Sequence, residues 1–288
     1  MNETFQPKNH SVLITGCSSG IGRAAAIHLA ERGFTVFATV RKDVDADSLR
    51  ALALPNLIPV CPLDLRSHGD ISRAAGLVRE ELARRGQAGL YALINNAGGG
   101  FIAPIELMDL DGFQAELETR LLGPVALAQA FLPLIREAGG RLLWVVTPGL
   151  FPTPYVASIH ACDFAANCLA RTLALELKPW KTPSILIRCG GIQTPSVPRS
   201  SAGLDESLQR WPAERAALYA PALRRLRAGL EDFDRKRTPP EAVARTIYTA
   251  LAARSPRPRY RVGYLSGAGA FLEALPQTLT DAILARRE

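Results

Sequence analysis

The chain has 288 residues, 48% of them hydrophobic, enough for one large α/β core, so a single domain over 1–288 is expected. Its formal net charge of +7 comes from scattered Lys and Arg, densest around Arg224 to Arg237, with no nucleic-acid motif or aromatic stacking platform; this excludes a nucleic-acid partner and leaves a surface that favours anionic ligands. Five cysteines without CxxC pairs or zinc-spaced histidines exclude a disulfide framework and a metal site and fit a reducing cytoplasm, while no apolar run reaches the ~18 residues of a membrane helix and Met1 to Asn9 is too short and polar for a signal peptide.

Ser11 to Thr15 reads as a strand, Gly20 to Arg32 as a helix and Thr35 to Val40 as a second strand. Further strands are expected at Leu57 to Pro62, Leu90 to Asn95, Leu142 to Thr147, Ser184 to Arg188 and Tyr260 to Val262, with helical segments between them. Seven strands alternating with helices describe a doubly wound, parallel α/β Rossmann sheet. Between Pro195 and Thr238 the strand period gives way to Pro, Ser, Arg and Leu, which reads as a helical excursion covering a substrate. Pro239 and Pro240 then open a helix through Ala252, and Arg257 to Val262 returns to the sheet.

Thr15-Gly16-Cys17-Ser18-Ser19-Gly20-Ile21-Gly22 lies where the first strand ends and the first helix begins. Backbone N–H groups at a helix N-terminus there face a pyrophosphate, with Gly16 making the turn and Gly20 and Gly22 permitting close approach. Nucleotide binding follows. At the end of the second strand an NAD site wants a carboxylate for the ribose 2′-hydroxyl, and Val36 to Arg41 contains none. Arg41 instead suits a 2′-phosphate, helped by the Ser18 hydroxyl, which points to NADP(H); the competing reading is a solvated strand-end cation.

The TGxxxGIG form resembles the short-chain dehydrogenase/reductase family, and more of its motifs follow in order nearly to the C-terminus. Asp64, with Leu65, looks like the family's adenine contact; Asn95-Asn96-Ala97-Gly98 resembles its next cofactor strand. Gly190-Gly191-Ile192-Gln193-Thr194 resembles the segment whose threonine holds the nicotinamide carboxamide, although Cys189 replaces a proline. The resemblance implies cofactor contacts at Gly16, Ser18, Ser19, Gly20, Ile21, Gly22, Arg41, Asp64, Leu65, Asn96, Ala97, Gly98, Gly190, Ile192 and Thr194, and a homodimer or homotetramer.

The family also carries an Asn, Ser, Tyr and Lys tetrad, in which Tyr protonates the carbonyl oxygen. Gly123 to Pro133 matches a family helix whose asparagine position is here Arg120. The serine strand puts Val146 or Thr147 at that position, of which Thr147 keeps a hydroxyl and is taken as the catalytic candidate. Tyr155-Val156-Ala157-Ser158-Ile159 looks like the tyrosine motif with its lysine lost, but Leu173 to Leu177 fixes the register so that Ile159 stands at Tyr and Asp163 at Lys. The usual acid is gone, and the cation beside the cofactor ribose has become an anion. Arg120 and Asp163 are expected either as a swapped, partly buried ion pair or as two unrelated solvent-facing side chains. Asp163 is also expected to accept from ribose hydroxyls and to favour the oxidised nicotinamide. Tyr155, Ser158 and His160 are the remaining proton-donor candidates, with loop or core packing as the alternative for each.

Three functions remain open at this stage. One is an NADPH-dependent ketoreductase acting on a hydroxylated aromatic, polyketide-like ketone whose own phenol replaces the tyrosine; here the departures resemble the tetrad-free angucyclinone ketoreductases of antibiotic pathways. The second is an inactive NADP-binding homologue serving as a partner or regulatory subunit, and the third a cofactor-assisted cyclase or isomerase.

Overall fold

A computed structural model of the chain describes residues 5–285, the side chains of 197, 198 and 201 aside. Seven strands form one parallel sheet: β1 (Ser11–Ile14), β2 (Thr35–Thr39), β3 (Leu57–Val60), β4 (Ala92–Asn95), β5 (Arg141–Val146), β6 (Ser184–Cys189) and β7 (Arg259–Val262). Their order is β3-β2-β1-β4-β5-β6-β7. β1, β2 and β6 are buried along their whole length, which explains why they read as continuous apolar runs rather than alternating ones. β7 lies at an edge and turns Arg259 outward.

Two helix layers cover the sheet. On one face α1 (Gly20–Glu31), α2 (Asp43–Arg50) and α9 (Pro240–Ala252) bury Ala25, Leu29, Leu49, Val243 and Ile247 against Val12, Ile14 and Val36. On the other, α3 (His68–Arg84), α5 (Gly123–Glu137) and α6 (Ala157–Glu176) pack Val78, Phe131 and Ala166 over Leu13, Leu93, Leu142 and Trp144. A short helix, α4 (Leu110–Leu117), runs into α5 through one π-helical turn, Glu118–Leu122. The expected excursion consists of α7 (Ser196–Arg210) and α8 (Ala213–Arg235). Its Leu204 and Leu223 form a satellite core with Ile102, joined by Tyr155, Trp211 and Tyr219.

Two closing helices, α10 (Ser266–Ala274) and α11 (Gln277–Ala285), were not anticipated from the sequence. Each has nine residues and the segment carries Gly267, Gly269 and Pro276, so too little helical period is present to read. Among the described residues no helix is long and apolar enough to cross a membrane. The strand order reverses between β1 and β4, and their carboxyl ends open the crevice where ligands of such sheets bind.

Candidate active site

The loops after β1 and β4 are tied together. The Thr15 hydroxyl accepts from the amides of Asn96 and Ala97 at 2.9 Å, and the Asn96 side chain donates back to the Thr15 carbonyl at 2.8 Å. Asn96 thus holds the glycine loop in place. Gly16 has φ +73° and Gly20 φ +57°, backbone that side chains rarely adopt, and a Cβ on Gly22 would lie 2.2 Å from the Gly16 carbonyl oxygen. Ser19 is the N-cap of α1 but makes no side-chain cap hydrogen bond. The first N–H groups of the helix are therefore available to an outside anion. Cys17 between them is buried, its thiol pushed up to about 12 by that burial, so it is inert.

After β4 the chain reads Gly98-Gly99-Gly100, and each glycine lies against a different side chain. A Cβ would come within 2.2 Å of Arg120 Nη1 at Gly98, 2.9 Å of Glu116 Oε1 at Gly99 and 2.1 Å of Ile159 Cγ1 at Gly100, where φ is +136°. Gly98 serves the guanidinium here. Arg120 projects from the π-helical turn, pairs through Nη2 with Asp163 Oδ1, and donates from Nη1 to the Gly99 carbonyl at 3.1 Å. The other Asp163 oxygen accepts from the Thr147 amide at 2.8 Å. The two side chains are 13% and 4% exposed, so the alternative of two unrelated solvent-facing groups is excluded. Burial works against the Arg120 cation, and the Asp163 and Glu116 carboxylates outweigh it, holding the guanidinium above its ordinary pKa. Burial pushes the Glu116 carboxyl up, opposed by Arg120 and by the Gly99 amide that donates to it at 3.3 Å. Glu116 carries no sequence motif and was missed; only its position one helical turn before Arg120 signals it.

The model of the family described as short chain dehydrogenase matches residues 10–204. The chain belongs to that family. Its curated relatives include rabbit 11-beta-hydroxysteroid dehydrogenase type 2, 33% identical over 269 residues that span 88% of this chain and 64% of the relative. Mouse 17-beta-hydroxysteroid dehydrogenase type 1 is 33% identical over 86% of this chain and 72% of its own. The chain thus spans about two thirds of the length of these relatives. A short-chain dehydrogenase from Streptomyces avermitilis shares the fold with a TM-score of 0.74 at 22% identity, over 99% of this chain and 96% of its own. Another from Burkholderia cenocepacia, solved in complex with NADP, gives 0.73 at 22% identity, over 97% and 99%.

Within that family frame, the structure brings together the four positions assigned by register. Thr147, just past β5, and Arg120 both bind Asp163, and Ile159 stands one turn before Asp163 on α6. Both Asp163 oxygens accept from within the protein, one from Arg120 and one from the Thr147 amide, which leaves each with a further lone pair. Ser158 is fully buried; its hydroxyl donates to the Phe101 carbonyl at 2.7 Å and accepts from the Phe101 amide at 3.1 Å, fixing the glycine run to α6. His160 faces the Phe151 carbonyl at 2.9 Å, and burial lowers its pKa. Tyr155, at φ +65°, sets its ring edge-on to Tyr219 of the excursion at 6.5 Å. All three are occupied in packing or in fixing loops.

The remaining short-chain dehydrogenase positions line the same sheet edge. Ser18 and Arg41 are exposed. Asp64 is held by the Arg66 side chain at 2.7 Å and by its amide at 3.0 Å, and these contacts, with Arg41 adding to them, hold its carboxyl below the usual range. Leu65 buries its side chain against Gly123, and Ile21 packs on the core. In the 190–194 loop, a Cβ on Gly190 would meet the Tyr264 carbonyl at 2.1 Å, Ile192 is buried, and Thr194 touches Gly20 and Ser196. Arg237, hidden in the basic run of the sequence, is buried and donates to the carbonyls of Ile192 and Thr194 at 2.7 and 3.4 Å. A cleft of about 240 Å³ lined by Phe101, Ala103, Leu107, Asp109, Arg210 and Trp211 opens between the glycine run and α7.

Proposed function

We propose that the chain is an NADPH-dependent ketoreductase whose substrate is an aromatic ketone with a hydroxyl beside the carbonyl. The observation that carries this reading is Ile159 packed on Gly100 beside the Arg120–Asp163 pair: an apolar group and a closed salt bridge occupy the place of the proton donor, while the glycine loop that receives a dinucleotide is complete. The N-terminus of α1, with Gly16, Gly20 and Gly22, accommodates the diphosphate; Arg41 and Ser18 suit the 2′-phosphate, and Thr194 the carboxamide. Bound there, NADPH supplies a hydride.

The protein's own part is alignment. Thr147 directs its hydroxyl group's hydrogen bonding at the carbonyl, and Asp163 fixes Thr147 through its amide. Arg120 neutralises Asp163, which cancels most of the field a lone carboxylate would impose on the ring, so charge at this position supplies little driving force. Losing a general acid costs about 10² to 10⁴ in rate, and a phenol ortho or peri to the ketone replaces it within the substrate at effective molarities of about 10⁵ M or more. The apolar cleft between Phe101 and Trp211 favours a flat ring system, and the hydroxysteroid names of the relatives favour fused rings.

The test is single-turnover NADPH oxidation with two aryl ketones of like shape, one bearing a peri-hydroxyl and the other its methyl ether. Reduction of the phenol alone supports the reading. Equal reduction of both would place the donor in the protein. If neither reacts while NADPH binds tightly, those two substrates are excluded, and the reading as an inactive, NADP-binding partner subunit gains the most.

A further inference from the structure

Arg199 lies in the first turn of α7, far in sequence from the glycine loop, yet its Nη2 donates to the Ser19 hydroxyl at 3.1 Å. Ser19 is the residue that heads α1 and leaves that helix uncapped by its side chain. The next residue, Ser200, donates its hydroxyl to the Gly100 carbonyl at 3.1 Å. One turn of the excursion therefore reaches both loops at the crevice, and a Cβ on Gly20 would meet Thr194, just before that turn, at 3.0 Å. A guanidinium offers five N–H donors in a planar fork, and the described residues engage one of these and place no carboxylate within ion-pair range. A cation in this position, held over a helix N-terminus by a single neutral hydroxyl, is complementary to an anion between the two.

We infer that Arg199 is a diphosphate ligand supplied by the excursion: it leaves Ser19, takes the cofactor diphosphate from the side opposite the α1 amides, and so holds α7 over the site more firmly when the dinucleotide is bound. This rests on the dinucleotide reading above. It goes beyond that reading because the glycine loop alone accounts for dinucleotide binding without assigning any group of the excursion to it. The excursion becomes part of the cofactor site.

Binding to the full chain tests this, with NADPH and with adenosine 2′-monophosphate, which keeps the 2′-phosphate and lacks the diphosphate. Arg199→Ala is expected to raise the NADPH dissociation constant about tenfold, the lower end for a charge-assisted hydrogen bond in an exposed position, and to leave adenosine 2′-monophosphate unchanged. Arg199→Lys should recover part of the loss. NADPH should also slow tryptic cleavage of α7 and α8 in the unsubstituted chain and fail to do so in Arg199→Ala. Unchanged NADPH affinity in Arg199→Ala, in a chain that otherwise binds NADPH, overturns the inference alone. Equal weakening toward both ligands overturns it too, by assigning Arg199 to the 2′-phosphate. If the unsubstituted chain binds neither ligand, the dinucleotide reading fails and takes this inference with it.

Discussion

Gly98 lies directly beneath Arg120: a Cβ there would stand 2.2 Å from Nη1. The guanidinium occupies space that only a missing side chain provides, and its far side is paired with a nearly inaccessible carboxylate. Gly98→Ala is therefore expected to displace Arg120 and loosen the pair, at about 1–3 kcal/mol for forced overpacking. Urea unfolding of the two proteins measures it; a loss near zero would mean that Arg120 yields freely.

Breaking the Arg120–Asp163 pair is expected to be more damaging than removing it. Asp163→Leu alone leaves a buried, unpaired guanidinium, and Arg120→Met alone leaves the carboxylate, each at about 3–5 kcal/mol. The double substitution should regain most of either loss. A double-mutant cycle on unfolding free energies reads this as a large coupling, whereas additive losses would deny the contact energetic weight.

Glu116 sets a pH dependence. Its folded pKa is raised by burial, so between the ordinary glutamate value of ~4.3 and the raised one the folded chain holds a proton that the unfolded chain releases. The contribution is complete below the ordinary value and is lost as pH climbs through the raised one. Stability should therefore fall with rising pH across that window, and Glu116→Gln should flatten the slope. Unfolding midpoints from pH 4 upward decide it; an unchanged slope would assign it to another group.

Arg41 is exposed at the end of β2 and is expected to act on the 2′-phosphate alone. Arg41→Ala should weaken NADPH by about tenfold, the lower end for a charge-assisted hydrogen bond in a solvated position, and leave NADH unaffected. Fluorescence titration of both nucleotides checks the difference.

The sheet was readable because its buried strands are unbroken apolar runs set between helices of clear period, and all seven fall within a few residues of the expected limits. The positions of Arg120, Thr147, Ile159 and Asp163 were reached by register, and their contact follows from the topology that brings the π-helical turn, β5 and α6 together. What the sequence hid is the work of ordinary residues. Glu116 and Arg237 belong to no motif, and Arg199 looks like one more basic residue in an Arg-rich stretch. Their neighbours lie 17, 45 and 180 positions away, distances at which no local pattern operates.

The run Gly98-Gly99-Gly100 carries a consequence for any attempt to turn this site back into a tyrosine-dependent one. Each glycine is moulded to a side chain from another helix, so exchanging Arg120, Ile159 and Asp163 for the family's Asn, Tyr and Lys would leave a void over Gly98 and set an aromatic ring onto the strained backbone of Gly100. The side chains at these positions and the loop beneath them depend on each other. Reversion is thus expected to need a rebuilt loop together with the three substitutions, and the three alone to yield a less stable protein rather than a restored enzyme.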